Sequence, residues 1–257
     1  MEHLANTLPG LTAVVTIMIV LWLISVYLRN VSIIDLFWGP VIAVAGVVYW
    51  SGLEQPSLRA NILLLCVLAW ALRLGVYLFA RNSGKPEDRR YVDMRKRNDP
   101  GFWWKSLYLV FLLQAVLAWI ISFAVYGGMQ GDAALGVIDY VGLVLFVYGF
   151  VWETAADWQL ANFLRTAGGQ GKVMDRGVWR YSRHPNYFGE FCLWWGFWLL
   201  AFGAGAWWTI FSPLLLSLFL LKVSGVSLLE SDISERRPAY ADYIRKTSAF
   251  IPMPPRT

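Results

Sequence analysis

The chain has 257 residues, of which 58% are hydrophobic and only 15% are charged, and it contains 15 tryptophans. A soluble domain of this length would carry more charge, whereas long apolar runs along the whole chain are typical of polytopic helical membrane proteins. Membrane β-barrels alternate with period two and have no such runs, so that class is excluded.

The apolar runs predict an all-α membrane protein with seven transmembrane helices. Each run can supply the about 20 residues that a helix needs to cross a bilayer core. The predicted spans are 10–28, 32–50, 60–80, 104–127, 136–163, 187–203 and 206–229. The segment AFGAGAW (201–207) predicts a tight turn that makes the last two helices antiparallel. We expect a single transmembrane domain over 1–257 without internal repeats. The first span should be retained, because MEHLANTLPG lacks the features of a cleaved signal.

The distribution of cations predicts the orientation. With seven spans, 20 of the 22 lysines and arginines fall on one side of the membrane. The positive-inside rule then places the N-terminus outside and the C-terminus in the cytoplasm. The net charge of +5 is explained by this asymmetry and requires no nucleic-acid partner. We expect a monomer in the bacterial inner membrane, or in the endoplasmic reticulum if the chain is eukaryotic.

Ionisable residues within the predicted spans are candidates for function, because a bilayer penalises buried charge by several kcal/mol. They are Asp35, Arg73, Glu153, Asp157 and Glu190. Glu153 and Asp157 are four residues apart and so share one helix face. Asp35 precedes a Gly39-Pro40 pair that can open the backbone to a cavity. The alternative is that these residues pair with cations of neighbouring helices and only stabilise the bundle.

The loop between the third and fourth spans is rich in charge and aromatic residues. Arg89, Arg90 and Tyr91 predict an anion pocket with an aromatic wall, whereas Arg95 to Arg97 fit a solvated loop equally well. The segment AGGQGK (167–172) departs from a Walker phosphate loop, and no G-x-G-x-x-G follows a strand. With only two histidines, a metal site is not expected.

The segment RYSRHPNYFGE (180–190) concentrates polar residues at the cytoplasmic end of the sixth span. Arg180 and Arg183 can contact phosphate, and Tyr181 and Asn186 can contact rings. Glu190 lies one turn deeper. This composition indicates an anionic, aromatic cofactor from the cytosol, combined with an apolar substrate from the lipid bilayer.

Two segments, GVWRYSRHPNYFGE (177–190) and LLESDISERRPAYADYIRKTSAFIP (228–252), resemble the steroid 5α-reductase family in a bacterial branch. The resemblance is strongest over residues 140–252. It implies a seven-helix reductase that uses NADPH to reduce a carbon–carbon double bond conjugated to a ketone, as in a 3-oxo-Δ4 steroid. By position, it implies cofactor-binding roles, mainly within 136–257, for Arg73, Glu153, Asp157, Arg165, Arg180, Tyr181, Asn186, Glu190, Asp232, Tyr240 and Tyr243.

The chain departs from the family in the residues that hold the substrate carbonyl. The family pairs a second-helix carboxylate or amide with a third-helix tyrosine. Asp35 fills the first role as a protonated donor, but Trp70 occupies the tyrosine position, and Tyr77 is the substitute that we predict. A family arginine is also replaced, by Leu228.

Two other functions stay open on the sequence. The shorter R-H-P-x-Y pattern at 183–187 also occurs in isoprenylcysteine carboxyl methyltransferases, which use S-adenosylmethionine. That function gives no role to Glu153, Asp157 and the tyrosine-rich tail. A transporter would predict inverted repeats, which the sequence does not show.

Overall fold

The computed structural model describes residues 2–166, 172–223, 225, 226, 230 and 240–256, and all regular elements within these residues are helical. The helices are α1 (Glu2–Leu28), α2 (Ile33–Ser51), α3 (Leu58–Asn82), α4 (Arg89–Asn98), α5 (Phe102–Met129), α6 (Val137–Thr166), α7 (Pro185–Gly203), α8 (Trp207–Lys222) and α9 (Tyr240–Lys246). A π-helical turn, Leu107–Leu112, lies within α5.

Five of these helices, α1, α2, α3, α5 and α6, are long and apolar enough to cross a membrane. The chain is therefore a multi-pass membrane protein. The two further predicted spans correspond to α7, which has 19 residues, and to the shorter apolar helix α8. The count of seven spans and their orientation stay predictions.

The helix boundaries follow the local sequence signals. α1 ends at Leu28, and Arg29 turns the chain with a left-handed φ of 51°. α7 begins at Pro185, as expected for a residue whose fixed φ suits a first turn. The chain turns between α7 and α8 at Gly205, whose φ is +82°. The indole of Trp195 in α7 donates a hydrogen bond to Oγ of Ser217 in α8 at 3.3 Å, so the two helices contact each other.

The chain divides into two compact units. The first runs to Leu135 and includes Ala201–Thr209, and the second consists of Gly136–Leu200 with the chain from Ile210 onward. In the first unit, polar side chains link the helices: Tyr49 of α2 hydrogen-bonds to Ser122 of α5 at 2.8 Å, and Trp119 of α5 donates to the carbonyl of Thr7. Such bonds satisfy polar groups that would otherwise face hydrocarbon.

Gly39 and Pro40 lie inside α2 without interrupting it. The expected opening of the backbone is therefore wrong. The glycine instead permits close helix packing, since a side-chain carbon at Gly39 would lie 3.1 Å from Cα of Ala71 in α3.

In the second unit, glycines bring α6 and α7 together. Gly142 and Gly149 of α6 are seven residues apart, as are Gly189 and Gly196 of α7. A side-chain carbon at Gly196 would lie 2.7 Å from the carbonyl oxygen of Gly142, and one at Gly189 would lie 2.6 Å from the backbone nitrogen of Glu153. Only glycine fits such an approach, which is the usual way for membrane helices to pack closely.

Candidate functional site

In the first unit, the carboxylate of Asp35 accepts two short hydrogen bonds from α4. The hydroxyl of Tyr91 donates to Oδ1 of Asp35 at 2.7 Å, and Nη2 of Arg90 donates to Oδ2 at 2.7 Å. Tyr91 is buried, and the Asp35 side chain is 19% exposed. The hydroxyl partner of Asp35 is thus supplied by α4, a helix that the sequence placed in a loop.

Two acidic residues before α4 fix this helix against the start of α2. The Asp88 side chain caps α4 by accepting a hydrogen bond from the backbone N–H of Arg90 at 2.9 Å. The backbone N–H of Asp88 donates to Oγ of Ser32 at 2.6 Å. Glu87 accepts from the backbone N–H of Val31 at 2.7 Å and pairs with Arg95 at 2.9 Å. These contacts hold the α4 residues against Asp35.

Burial and neighbouring charges keep Tyr91, Arg90 and Asp88 each in one protonation state at neutral pH. Burial, together with the neighbouring charge of Asp35, raises the pKa of Tyr91, so its hydroxyl keeps its proton. Burial alone would lower the pKa of Arg90, but its pairing with Asp88 and Asp35 raises it. Burial would likewise raise the pKa of Asp88, but the hydrogen bonds from Arg90 outweigh burial and lower it. The cluster therefore offers a protonated phenol and a charged guanidinium side by side.

The remaining candidates of the first unit lie on α3 and at the start of α4. Arg73 and Tyr77 are half-buried on α3, where the guanidinium of Arg81 lies 5.5 Å from the centre of the Tyr77 ring. Arg89 is exposed and forms an ion pair with Asp93 at 3.6 Å. A catalytic role for Tyr77 stays a prediction.

In the second unit, the three carboxylates predicted from the sequence are buried on α6 and α7. Glu153 and Asp157 are both buried on α6, one turn apart. Glu190 is buried on α7, one turn beyond the half-buried Asn186. The indole of Trp179 donates to the carbonyl of Ala156 at 3.0 Å, which joins the turn Gly177–Arg180 to this part of α6.

The predicted cations of this unit separate into two groups. Arg165, Arg180 and the aromatic Tyr181 are exposed, as are the nearby Lys172 and Arg176. Arg183 is buried, although the sequence assigned it to the same phosphate-binding set. Asp232 and residues 167–171 of the glycine-rich segment lie outside the described residues.

Arg183 is engaged in a network that we call the C-terminal clamp, formed by Ser182, Arg183, His184, Glu230 and Tyr243. The guanidinium donates to both carboxylate oxygens of Glu230, at 2.7 and 2.8 Å, and to the carbonyls of Thr247 and Ile244, at 2.5 and 3.1 Å. His184 Nε2 lies 2.9 Å from the same carboxylate. Burial alone would raise the pKa of Glu230, but the hydrogen bonds from Arg183 and His184 lower it to about 2.

Further bonds of the clamp attach the end of the chain to the residues before α7. Ser182 donates to the carbonyl of Phe250 at 2.8 Å, and the hydroxyl of Tyr243 donates to the carbonyls of Trp179 and Ser182. Tyr240 is buried with its ring edge-on to Tyr243, at 5.3 Å between centroids. In this arrangement Arg183 and Tyr243 position the tail.

Sequence reasoning missed three contributors: Glu230, Asp88 and the contact of Tyr91 with Asp35. An available signal was the Asp88-Arg89-Arg90 sequence, since aspartate before a polar helical run is a typical N-cap. Nothing in the sequence pairs Glu230 with Arg183, because they are 47 positions apart. Among the described residues no group of three or more histidine, cysteine or acidic side chains is arranged to hold a metal ion.

Comparison with known proteins places the chain in a family. Residues 21–247 match the family described as "Protein of unknown function (DUF1295)". The chain belongs to this family. It is also 29% identical, over 270 aligned residues, to "Uncharacterized protein C594.04c" of Schizosaccharomyces pombe, an alignment that covers 91% of this chain and 76% of the relative. No solved structure matches the chain.

Proposed function

We propose that the protein is a membrane-embedded reductase that transfers a hydride from NADPH to the conjugated C=C bond of an apolar enone, such as a 3-oxo-Δ4 steroid, drawn from the bilayer. The observation that carries this proposal is the cluster of Asp35, Arg90 and Tyr91. Hydride addition to an enone places negative charge on the carbonyl oxygen, and preorganised donors stabilise such charge. Tyr91 is buried, whereas the Arg90 side chain is 45% exposed. The motif resemblance over 177–190 supports the same reaction class.

Tyr91 and Arg90 are the donors in this proposal, and Asp35 is the positioning residue. Both oxygens of Asp35 accept hydrogen bonds, so the carboxyl group orients its two partners. The hydroxyl proton of Tyr91 can turn from Asp35 toward a carbonyl oxygen. The enolate then takes a proton from water at the α-carbon, so that one hydride and one proton are added in total.

The cofactor role is assigned to the second unit, whose donor set fits a dinucleotide. The exposed cations Arg165, Lys172, Arg176 and Arg180 suit phosphates, because guanidinium groups bind phosphate oxygens in pairs. The buried carboxylates of α6 and α7 suit ribose hydroxyls and amide N–H groups. Bound NADPH supplies the hydride. Arg183 is left out of this set because its guanidinium already makes four hydrogen bonds, two to Glu230 and two to the carbonyls of Ile244 and Thr247.

The proposal includes the predicted topology of seven spans with the C-terminus in the cytoplasm, since NADPH is a cytosolic cofactor. It gives Glu153 and Asp157 a role that the methyltransferase alternative lacks. Binding of S-adenosylmethionine in place of NADPH would favour that alternative.

Two measurements test the proposal. In detergent, NADPH should raise the melting temperature much more than NADH or S-adenosylmethionine, because a ligand stabilises a fold according to its affinity. NADPH oxidation with steroid and non-steroid enones, followed by product mass, should then show addition of two hydrogens.

A matched pair of variants tests the donor. Tyr91→Phe should lower turnover by about 10² to 10³, the usual effect of losing one oxyanion donor. Tyr108→Phe removes the same hydroxyl from a residue that is 49% exposed on α5 and should leave turnover unchanged. Equal activity of Tyr91→Phe and wild type would refute the assignment.

A further inference from the structure

The first unit contains a cavity of about 330 Å³ whose walls do not include Asp35, Arg90 or Tyr91. It lies between the end of α1, the segment that follows it, α4 and the beginning of α5. Its walls are formed by Ser25, Val26, Arg29, Val31, Arg95, Phe102, Trp103 and Ser106. None of these residues is a donor in the proposed reduction, although Val31 and Arg95 also contact Glu87 before α4.

The cavity lies at the ends of two candidate membrane spans. Arg29 follows the last residue of α1, and Phe102 is the first residue of α5. The ends of spanning helices lie at the level of the lipid headgroups, where tryptophan and tyrosine are enriched. Tyr27 is 87% exposed and Trp103 is 58% exposed at this level, as that position predicts.

One positive charge in the cavity wall is not compensated. Arg95 is paired with Glu87 at 2.9 Å, and its guanidinium carbon lies 4.8 Å from the centre of the Phe102 ring. The carboxylate of Glu87 therefore neutralises the charge of Arg95. Arg29 is exposed, and among the described residues its side chain makes no ion pair. Its φ of 51° is a left-handed conformation that an arginine adopts only at a cost. The chain thus holds a cation at the cavity in an unfavourable backbone conformation.

The other walls suit an amphiphilic ligand. Ser25 and Ser106 are buried and donate their hydroxyl protons to the carbonyls of Trp22 and Trp103, at 2.7 and 2.9 Å, which leaves their oxygens available as acceptors. In the turns of α1 before Arg29, the side chains of Val20, Leu23 and Ile24 are exposed. The volume is at the small end of ligand pockets and is adequate for a headgroup.

We propose that this cavity binds the phosphodiester headgroup of an anionic phospholipid, with the phosphate on Arg29 and the acyl chains along the exposed apolar face of α1. A guanidinium binds phosphate by charge-assisted hydrogen bonds. A headgroup that carries hydroxyl groups, such as glycerol, can donate to Ser25 and Ser106. The net charge of the wall, with Arg95 neutralised by Glu87, favours an anionic lipid over a zwitterionic one.

The test measures lipid binding to the detergent-purified full chain by native mass spectrometry, with phosphatidylglycerol and phosphatidylcholine titrated separately. Arg29→Asn removes the charge but keeps a residue that tolerates a left-handed φ. Arg97→Asn makes the same chemical change at an exposed position of α4 outside the cavity. Melting temperatures without added lipid establish that both variants fold.

Wild type and Arg97→Asn should bind phosphatidylglycerol alike and more tightly than phosphatidylcholine. Arg29→Asn should bind it about tenfold more weakly, the effect of losing a charge-assisted hydrogen bond. Equal binding by Arg29→Asn and wild type would overturn the site, and an equal loss in Arg97→Asn would show general charge attraction. A stabilisation by inorganic phosphate that depends on Arg29 and equals that by the lipid would replace the lipid with free phosphate.

Discussion

The buried ion pair of the C-terminal clamp leads to a sharp prediction about how the tail is held. The Arg183 side chain is 9% exposed and that of Glu230 is 18% exposed, and two hydrogen bonds join them. Glu230→Gln keeps the size of the side chain but leaves the arginine without its counter-charge. Breaking a buried pair from one side costs about 3 to 5 kcal/mol, and the partial exposure of Glu230 places this variant at about 3 kcal/mol.

The melting temperature in detergent at pH 7 measures this loss. At about 2 to 4 °C per kcal/mol for a chain of this size, Glu230→Gln should melt about 6 to 12 °C below wild type. The matched control is Asp242→Asn, which breaks an ion pair with Arg245 whose side chains are 75% and 65% exposed. Exposed pairs contribute at most about 1 kcal/mol, so this control should change little.

Limited trypsin digestion provides a local measurement. Local detachment of the tail exposes the backbone after Arg245 and Lys246, so cleavage there should accelerate in Glu230→Gln and stay slow in Asp242→Asn. If both variants shift the melting temperature equally and are digested at the wild-type rate, the clamp does not hold the tail.

The pH dependence of stability gives an independent check of the clamp. The pKa of Glu230 is lowered from an ordinary 4.5 to about 2, so the folded state favours the ionised carboxylate. The stabilisation is therefore complete above about pH 4.5 and is lost as the pH falls toward 2. A shift of this size corresponds to at most about 3.5 kcal/mol, because each pKa unit is worth about 1.4 kcal/mol. The difference in melting temperature between wild type and Glu230→Gln should shrink over this range, and a constant difference would contradict the assignment.

Three further predictions concern the Asp35 cluster, the cap of α4 and the helix packing. Asp35→Leu should abolish turnover while NADPH still raises the melting temperature, whereas Asp35→Asn should keep part of the activity. If Asp35→Leu loses NADPH binding to the same extent as turnover, Asp35 does not belong to the proposed substrate site. Gly196→Ala should destabilise the protein by about 1 to 3 kcal/mol in thermal unfolding, since the new carbon meets the Gly142 carbonyl, whereas Gly52→Ala, whose nearest contact would be 3.6 Å, should stay near wild type. Asp88→Ala should cost about 1 kcal/mol by removing the cap of α4, and Asp88→Asn less, with equal losses arguing against a capping role.

Much of the helical architecture could be predicted because its signals are local. The apolar runs at 10–28, 60–80 and 136–163 appear as α1, α3 and α6. α1 begins eight residues before the predicted start, and the other ends lie within three residues of the prediction. Boundaries such as Arg29 and Pro185 were visible because each reflects the backbone preference of one or two residues.

The candidate sites were predicted only in part, because residue types indicate chemistry but not partners. Asp35 and Tyr91 were both singled out from the sequence, yet for different sites, since 56 positions separate them. Arg183 was assigned to phosphate because exposed arginines often bind it, but its burial against Glu230 gives it a structural partner.

The sequence by itself determined that this chain is helical and membrane-spanning, since hydrophobic length and helix-ending residues act over single turns and need no distant partner. Only the tertiary structure decided which charges meet. Pairing depends on how α4 lies against α2 and how the tail lies against the start of α7, and these placements result from many weak contacts between residues far apart in the chain. The hydroxyl on Asp35 and the carboxylate on Arg183 are therefore properties of the folded molecule.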